Sequence, residues 1–463
     1  MRIASCVLAC ALSATALVAQ QETPRSLERA ILAELVEINT SDSAGRTMDA
    51  AQALARRLRD AGFPAEDVRV LTPAPGQGML IARYRGNGRI AKSILLMAHL
   101  DVVGARREDW SFDPFTFLEQ EGHYYGRGTD DNKAGAAMLV ANFIRYRREG
   151  YTPERDLVIV LTSDEETAGN SIQFALREDR DVAGAAFGLN TDAGGGELKN
   201  GKPVTFAVQA AEKIYLSFQL EVRNRGGHSS LPEPDNAIYR LSNGLVRLSR
   251  HRFPVRLTEV SRAYFARSAA GQDTRTAADM RALARTGSPE AAARLSRVPY
   301  YNSVMRTTCV ATRLFGGHAE NALPQLARGV VNCRIVPSQP PDSVEATLRR
   351  VLADTAIHLS RTGNPVPSPP SPLTPELMRP IEGLAAELWP GAVVIPEMST
   401  GATDAVYTRN AGIPTYGVSA LFAEIGDVRA HGRDERVGVE AYHRAAGFWY
   451  RLVKMLASAR PGA

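Results

Sequence analysis

The stretch that decides the fold is Ile94–Val103, "ILLMAHLDVV". Five apolar residues, Ile94 to Ala98, run into His99, Leu100 and Asp101. The apolar run reads as a buried strand. Alternate residues of a strand share a face, so the side chains of His99 and Asp101 point the same way. Such a pair has two readings. One is a histidine satisfied at a strand end. The other is a metal ligand held by a carboxylate behind it. The pair alone does not separate them.

Outward from this strand, apolar strands and amphipathic helices alternate. Leu27, Ile31, Leu35 and Ile38 fall on one helical stripe. "MDAAQALARRLRDAGF" is a second helix, stopped by Gly62 and Pro64. "GMLIARYRG", "DLVIVLTS" and "GAAFGLNTD" read as strands, and "KAGAAMLVANFIRYRREG" as a helix ending at Gly150. This alternation predicts an α/β domain around a largely parallel sheet. After Gly201 the texture changes. "KIYLSFQLEVRN" alternates like a half-exposed strand, "PDNAIYRLSNGLVRLSR" is a helix, and "TTCVATRLFG" and "ARGVVNCRIVP" are strands again. The α/β pattern returns near Pro337. The expected organisation is a catalytic α/β domain in two pieces, residues 20–211 and 337–463. An α+β domain spanning 212–336 is inserted between them, carrying an extra helical stretch near 255–300.

The bulk composition is ordinary for a globular protein: 463 residues, 44% hydrophobic and 23% charged, enough for two or three domains. The net charge is +5, with six lysines among 55 basic residues and no long basic run, which argues against nucleic-acid binding. The start, "MRIASCVLACALSATALVAQQETP", reads as a secretory signal with cleavage expected after Ala19. No later segment has the length and apolarity of a membrane span. An exported, periplasmic protein is expected. Its mature part keeps Cys309 and Cys333, either as a disulfide or as two buried thiols.

Four further stretches carry chemistry. "YGRGTDDNKAG" places Asp131 in a Gly-rich loop before a helix. "LTSDEETAGN" places Glu165 and Glu166 after a strand. "LNTDAGGG" places Asp192 after another, and "RAHGRDER" places His431 in a loop. Taken singly, these are helix caps or solvated surface groups. Together, His99, Asp131, Glu166 and Asp192 all lie at or just after strand ends of one sheet, where open α/β sheets bind ligands. Imidazole with carboxylate suits zinc. Two metals sharing a carboxylate is a hydrolytic device, and a spare glutamate beside a ligand can take the proton of the attacking water.

The motifs "MAHLDVV", "YGRGTDDNKAG", "TSDEETAG", "RGGHSSLPEPDNAI", "GGHAENALPQLA", "STGATDAVY" and "AHGRDERV" resemble, in order, those of the di-zinc metallopeptidase family that includes aminoacylase, glutamate carboxypeptidase and carboxypeptidase S. The resemblance implies that His99 and Asp192 hold one zinc, Glu166 and His431 the other, and that Asp131 bridges them. Cobalt or manganese would fit the same ligand types. It implies further that Asp101 orients His99, that Glu165 is the general base and acid, and that His228 polarises the scissile carbonyl, often from a partner subunit. Asn321 and Arg334 would hold the substrate's carboxylate. The position of Asp192 is often glutamate in the family. The implied activity is hydrolysis of a peptide or an N-acyl amino acid, by a homodimer formed through the inserted domain. The alternatives are an aminopeptidase or dipeptidase, or a zinc-binding relative without catalysis. Among the remaining histidines, His251, His358 and His443 are expected at the surface of helices. Asp404 is either a helix cap or a support for the site.

Overall fold

The computed structural model describes residues 22–458. The expected signal segment and cleavage point lie outside them. Among the described residues, no helix is long and apolar enough to cross a membrane.

The larger body is built on a ten-stranded sheet. At its centre, Leu157–Thr162, Ile94–His99, Phe187–Asn190 and Thr415–Gly417 lie side by side and parallel. The first two of these are wholly buried, as their unbroken apolar composition requires. Helices cover the sheet. Lys133–Arg148 is buried along almost its whole length and packs with Pro24–Glu37 and Val439–Ala457 in one continuous core. The start of Lys133–Arg148 fits closely against the sheet. A Cβ at Gly135 would fall 2.0 Å from both Asn132 Oδ1 and Thr191 Oγ1, so only glycine permits this approach. That contact sets the Asp131 loop beside Thr191 and Asp192.

The smaller body is a four-stranded antiparallel sheet in the order Thr308–Gly316, Leu326–Ile335, Ile214–Arg223, His358–Thr362. The helices Ala237–Arg250 and Pro341–Leu352 pack over it through Leu241, Leu248, Val344 and Leu348. Two expectations change. First, the insertion does not end at residue 336. The chain makes another helix and the fourth strand, whose pairing with Ile214–Arg223 completes the sheet at Thr362. Second, the helical stretch Glu259–Met305 is not part of the smaller body. Its Val260, Phe265, Met280, Leu295 and Met305 join the core of the larger one, and Glu259–Ser268 packs on the strand Val393–Ser399. The chain therefore leaves the smaller body after Phe253 and re-enters it at Thr308. Its final return passes through the Pro-rich link, where Ser371 is buried and its hydroxyl donates to Thr415 O at 2.8 Å.

Cys309 and Cys333 sit opposite each other on two paired strands, with Cα atoms 4.1 Å apart, and are joined as a disulfide. Intact-mass measurement should find the protein lighter by two hydrogens than its reduced form. Replacing both cysteines by serine should cost about 3 kcal/mol of stability, the chain-entropy scale for such a loop. Two free thiols in protein produced in an oxidising compartment would refute the pairing.

Candidate metal centre

Three parallel strands deliver the site. His99 ends the central one. Its neighbour on one side, Leu157–Thr162, runs out into the loop carrying Glu165 and Glu166. Its neighbour on the other side, Phe187–Asn190, runs out to Asp192. Register puts His99 opposite Thr162 and Met97 opposite Asn190, so two strand ends lie level and the third stops two residues short, which leaves Asp192 two residues beyond it, beside His99. Asp131 comes from the loop before Lys133–Arg148. His431 comes from the loop after Phe422–Glu424 and holds a left-handed backbone, φ +61°.

The six side chains converge. Asp131 presents one carboxylate oxygen to each imidazole: Oδ1 lies 2.9 Å from His99 Nε2, and Oδ2 lies 3.1 Å from His431 Nε2. Asp192 Oδ1 lies 3.4 Å from His99 Nε2, and Glu166 Oε1 lies 3.0 Å from His431 Nε2. Glu165 joins His99 and Asp192, its ligand atom within 4.8 Å of theirs. These spacings suit cations. Tetrahedral zinc with bonds of about 2.0–2.1 Å keeps its ligand atoms roughly 3.3 Å apart.

The support around His99 differs from the expected one. The imidazole Nδ1–H donates to the backbone carbonyl of Asp101 at 2.9 Å, while the Asp101 carboxylate lies 3.7 Å away. That carboxylate instead accepts the backbone N–H groups of Glu165 at 3.2 Å and Glu166 at 2.9 Å. One residue thus fixes the histidine's tautomer with its main chain and anchors the glutamate loop with its side chain. Asp404 is the first residue before the helix Ala405–Asn410 but makes no side-chain cap. It accepts the Thr162 hydroxyl at 2.6 Å, close below His99.

Glu435 was invisible in the sequence. It sits in the run Arg433–Arg436, whose charges read as a solvated face. In the structure it is fully buried. It pairs with Arg127 at 2.6 Å and accepts the backbone N–H groups of Gly128, Asp130 and Asp131 at 3.0, 2.8 and 3.0 Å. This clasp joins the His431 loop to the Asp131 loop. Breaking such a buried pair costs about 3–5 kcal/mol.

Crowding moves the protonation states. Burial alone would lower the pKa of the His99 imidazole, but Asp192 and Asp131 beside it push it well above its usual value. Hydrogen bonds to Asp131 and Glu166 raise His431 to about 10. Burial, then the neighbouring Asp192, raises Glu165 to about 10. The Asp131 carboxyl, despite its burial, is held below the usual range by His431 and His99.

The sequence profile described as Peptidase family M20/M25/M40 matches residues 95–455. The chain belongs to peptidase family M20. Over 385 residues it is 29% identical to the human N-fatty-acyl-amino acid synthase/hydrolase PM20D1, covering 80% of this chain and 75% of that one. It is 26% identical to the probable carboxypeptidase S-like 2 of Dictyostelium discoideum, covering 81% and 74% respectively. The crystal structure of the M20 metallo-carboxypeptidase Sso-CP2 from Sulfolobus solfataricus shares the fold at TM-score 0.69 and 17% identity, covering 93% of this chain and 99% of that one. The protein is therefore a metal-dependent amide-bond hydrolase of the M20 family.

Not every expected residue joins the M20 cluster within this chain. His228 and Asn321 sit together in the smaller body, where Gly227–His228 pairs with Ala322–Leu323 and Ser229 N–H donates to Asn321 O at 3.0 Å. Both are exposed, and the His228 ring contacts Ser230. Arg334 lies over the Tyr215 ring at 4.6 Å and donates to Thr400 O at 2.9 Å, with no carboxylate within 4 Å among the described residues. His443, expected at the surface, is buried and paired with Glu28. His358 lies exposed on a strand rather than a helix, and His251 is half-buried just past a helix end.

Metal binding needs neutral imidazoles, and in the metal-free protein the carboxylates around His99 and His431 raise both imidazole pKa values and so favour their protonated forms. Metal uptake by chelator-treated protein should therefore release protons, and affinity should rise as pH rises. Calorimetry in buffers of different ionisation enthalpy measures this. Uptake without net proton release at pH 7 would contradict the assignment of these imidazoles as ligands.

Proposed function

We propose that this chain is an exported di-zinc hydrolase that releases an amino acid from the C-terminus of a peptide or from an N-acyl amino acid. The observation that carries the reading is Asp131, whose two oxygens face two different imidazoles while Glu165 stands beside them. His99 and Asp192 would hold one cation, Glu166 and His431 the other, with Asp131 between them. The donor set fits zinc and also admits cobalt or manganese. Bound there, the cations supply Lewis acidity and lower the pKa of a water molecule.

The rest falls to the chain's own groups. Glu165 takes the proton of the attacking water and returns it to the leaving nitrogen, so that the amine departs neutral. Burial and Asp192 raise its proton affinity, and bound cations beside it would hold the carboxylate ionised until it takes the water's proton. Arg334, half-buried and without a carboxylate partner among the described residues, offers its planar fork to the substrate's carboxylate, with Asn321 as a second contact. The names of the two relatives, one an N-fatty-acyl-amino acid synthase/hydrolase and one carboxypeptidase S-like, support a substrate ending in a free carboxylate. Arg334 argues against an aminopeptidase. Turnover of N-acyl amino acids and dipeptides, with either terminus blocked and with metal restored, tests this. Cleavage that requires a free amine but tolerates a blocked carboxylate would favour the aminopeptidase reading.

Glu165→Gln should keep its metal content and lose about two to four orders of magnitude in rate, the scale of general acid–base catalysis. A near-normal rate would remove Glu165 from this role.

His228 is assigned to the developing oxyanion of a partner subunit's substrate. Its exposure supports that, as does the open edge strand Thr308–Gly316, which shows Val310, Leu314 and Phe315 to solvent. An unpaired apolar edge favours pairing with another chain. A homodimer through the smaller body would cover it. Subunits of inactive His228→Ala and Glu165→Gln, dissociated and re-mixed, should recover activity, because each heterodimer holds one site with both wild-type residues. No recovery despite proven exchange would mean that His228 does not act across the interface.

A further inference from the structure

Away from the metal centre, two adjoining cavities of about 480 and 350 Å³ lie where the two bodies meet. Arg252, Ser296 and Arg306 line both, and Arg297 lines the larger. Neither lining contains an aspartate or glutamate. Among the described residues, none of the three arginines has a carboxylate within 4 Å. Proteins bury a guanidinium with a counter-charge, since an unpaired buried ion carries a large desolvation cost. Arg306 is 9% exposed and has none. Its two terminal nitrogens donate to Phe253 O and Ser296 Oγ, both at 3.1 Å, and its Nε has no partner. Two more side-chain atoms lining the smaller cavity are buried without a partner, His251 Nε2 and Asn302 Oδ1. Burial and the nearby Arg252 both lower the pKa of Arg306, the mark of a cation short of negative charge.

We propose that this junction is a binding site for a tetrahedral oxyanion of the phosphate or sulfate type. Guanidinium groups pair with several oxygens at once, and here they approach from different segments together with an imidazole N–H. Such an arrangement suits four oxygens spread in space better than a flat carboxylate. The donors also belong to both bodies. His251 and Arg252 follow the last helix turn of the smaller body before the chain leaves it. Ser296 and Arg297 end a helix packed on the larger one, and Arg306 lies just before the strand of return. A bound anion would therefore tie the two bodies together at the point where the chain crosses between them.

The test titrates inorganic phosphate, sulfate and acetate separately into the metal-loaded protein at constant ionic strength, with binding followed by calorimetry and thermal melting. Wild type should bind phosphate and sulfate saturably, one per chain, and acetate more weakly. Arg252→Ala removes a side chain that makes no hydrogen bond or ion pair among the described residues, so it should keep its fold and its anion-free kcat/KM. It should weaken sulfate binding by about tenfold, the value of one charge-assisted hydrogen bond. Arg306→Met should do the same or more. The proposal is overturned if wild type shows no saturable binding, if acetate binds as tightly as sulfate, or if both variants bind like wild type. That last result would place the ion on the metals.

Discussion

Too much negative charge in too little space is the condition that the rest of the structure answers. Asp131, Glu165, Glu166 and Asp192 meet within a few ångströms, and Asp101, Asp130, Asp404 and Glu435 stand directly behind them. Left to themselves these groups would repel or take up protons, and some do. Burial, reinforced by neighbouring carboxylates, brings Asp130 and Asp404 to about 7. The chain opposes the repulsion with fixed positive ends. Asp101 takes two backbone N–H groups, Glu435 takes three and a buried guanidinium, and two imidazoles face Asp131. What remains unbalanced faces inward, where divalent cations would neutralise it. Each supporting contact makes the site firmer before a metal arrives, which is how a protein keeps ligand geometry from depending on the ion alone.

The two bodies divide the work. The neighbouring ends of three parallel strands give the ligands a rigid frame, because shifting one of these strands would require breaking its pairing on both sides. The smaller body lacks such a frame around His228, on a two-residue ladder at its surface, and Asn321, just before the partner strand. Groups on a separate body can approach a bound substrate and withdraw, whereas groups on the large sheet cannot. The chain passes between the bodies several times, and Lys213 at one crossing is buried, its ammonium donating to Arg306 O at 2.8 Å. Any movement must work around these anchors.

Much of this was legible in the sequence, and the reason is local. An apolar strand followed at once by histidine or a carboxylate can be read from ten residues, so His99, Glu165, Glu166 and Asp192 stood out, as did the parallel sheet that carries them. What was not legible depends on distant partners. Glu435 looks like one charge in a solvated run until the Asp131 loop folds over it. His443 lies on a helix whose buried stripe includes it, opposite Glu28 more than four hundred residues earlier. The boundary near 336 fell short because a strand such as His358–Thr362, with one buried residue in five, carries almost no apolar pattern of its own. The helical stretch Glu259–Met305 was placed by chain order, but it is held by the core it packs against.

The adjacency of Glu165 and Glu166 has a geometric meaning that neither residue has alone. The cluster divides into two overlapping groups: His99 with Glu165 and Asp192, and His99 with Asp131 and Glu166. Consecutive residues are joined by one rigid peptide unit, with Cα atoms about 3.8 Å apart. Both N–H groups of this pair are held by the same Asp101 carboxylate. The proposed base therefore cannot drift relative to the proposed ligand, and neither can drift relative to His99, whose ring is oriented by the carbonyl of that same Asp101. A glutamate anchored this way starts from a fixed main-chain position whatever the substrate or the smaller body does. Here the opening strand, the aspartate two residues beyond its histidine, and the glutamate pair across the sheet form one mechanical unit.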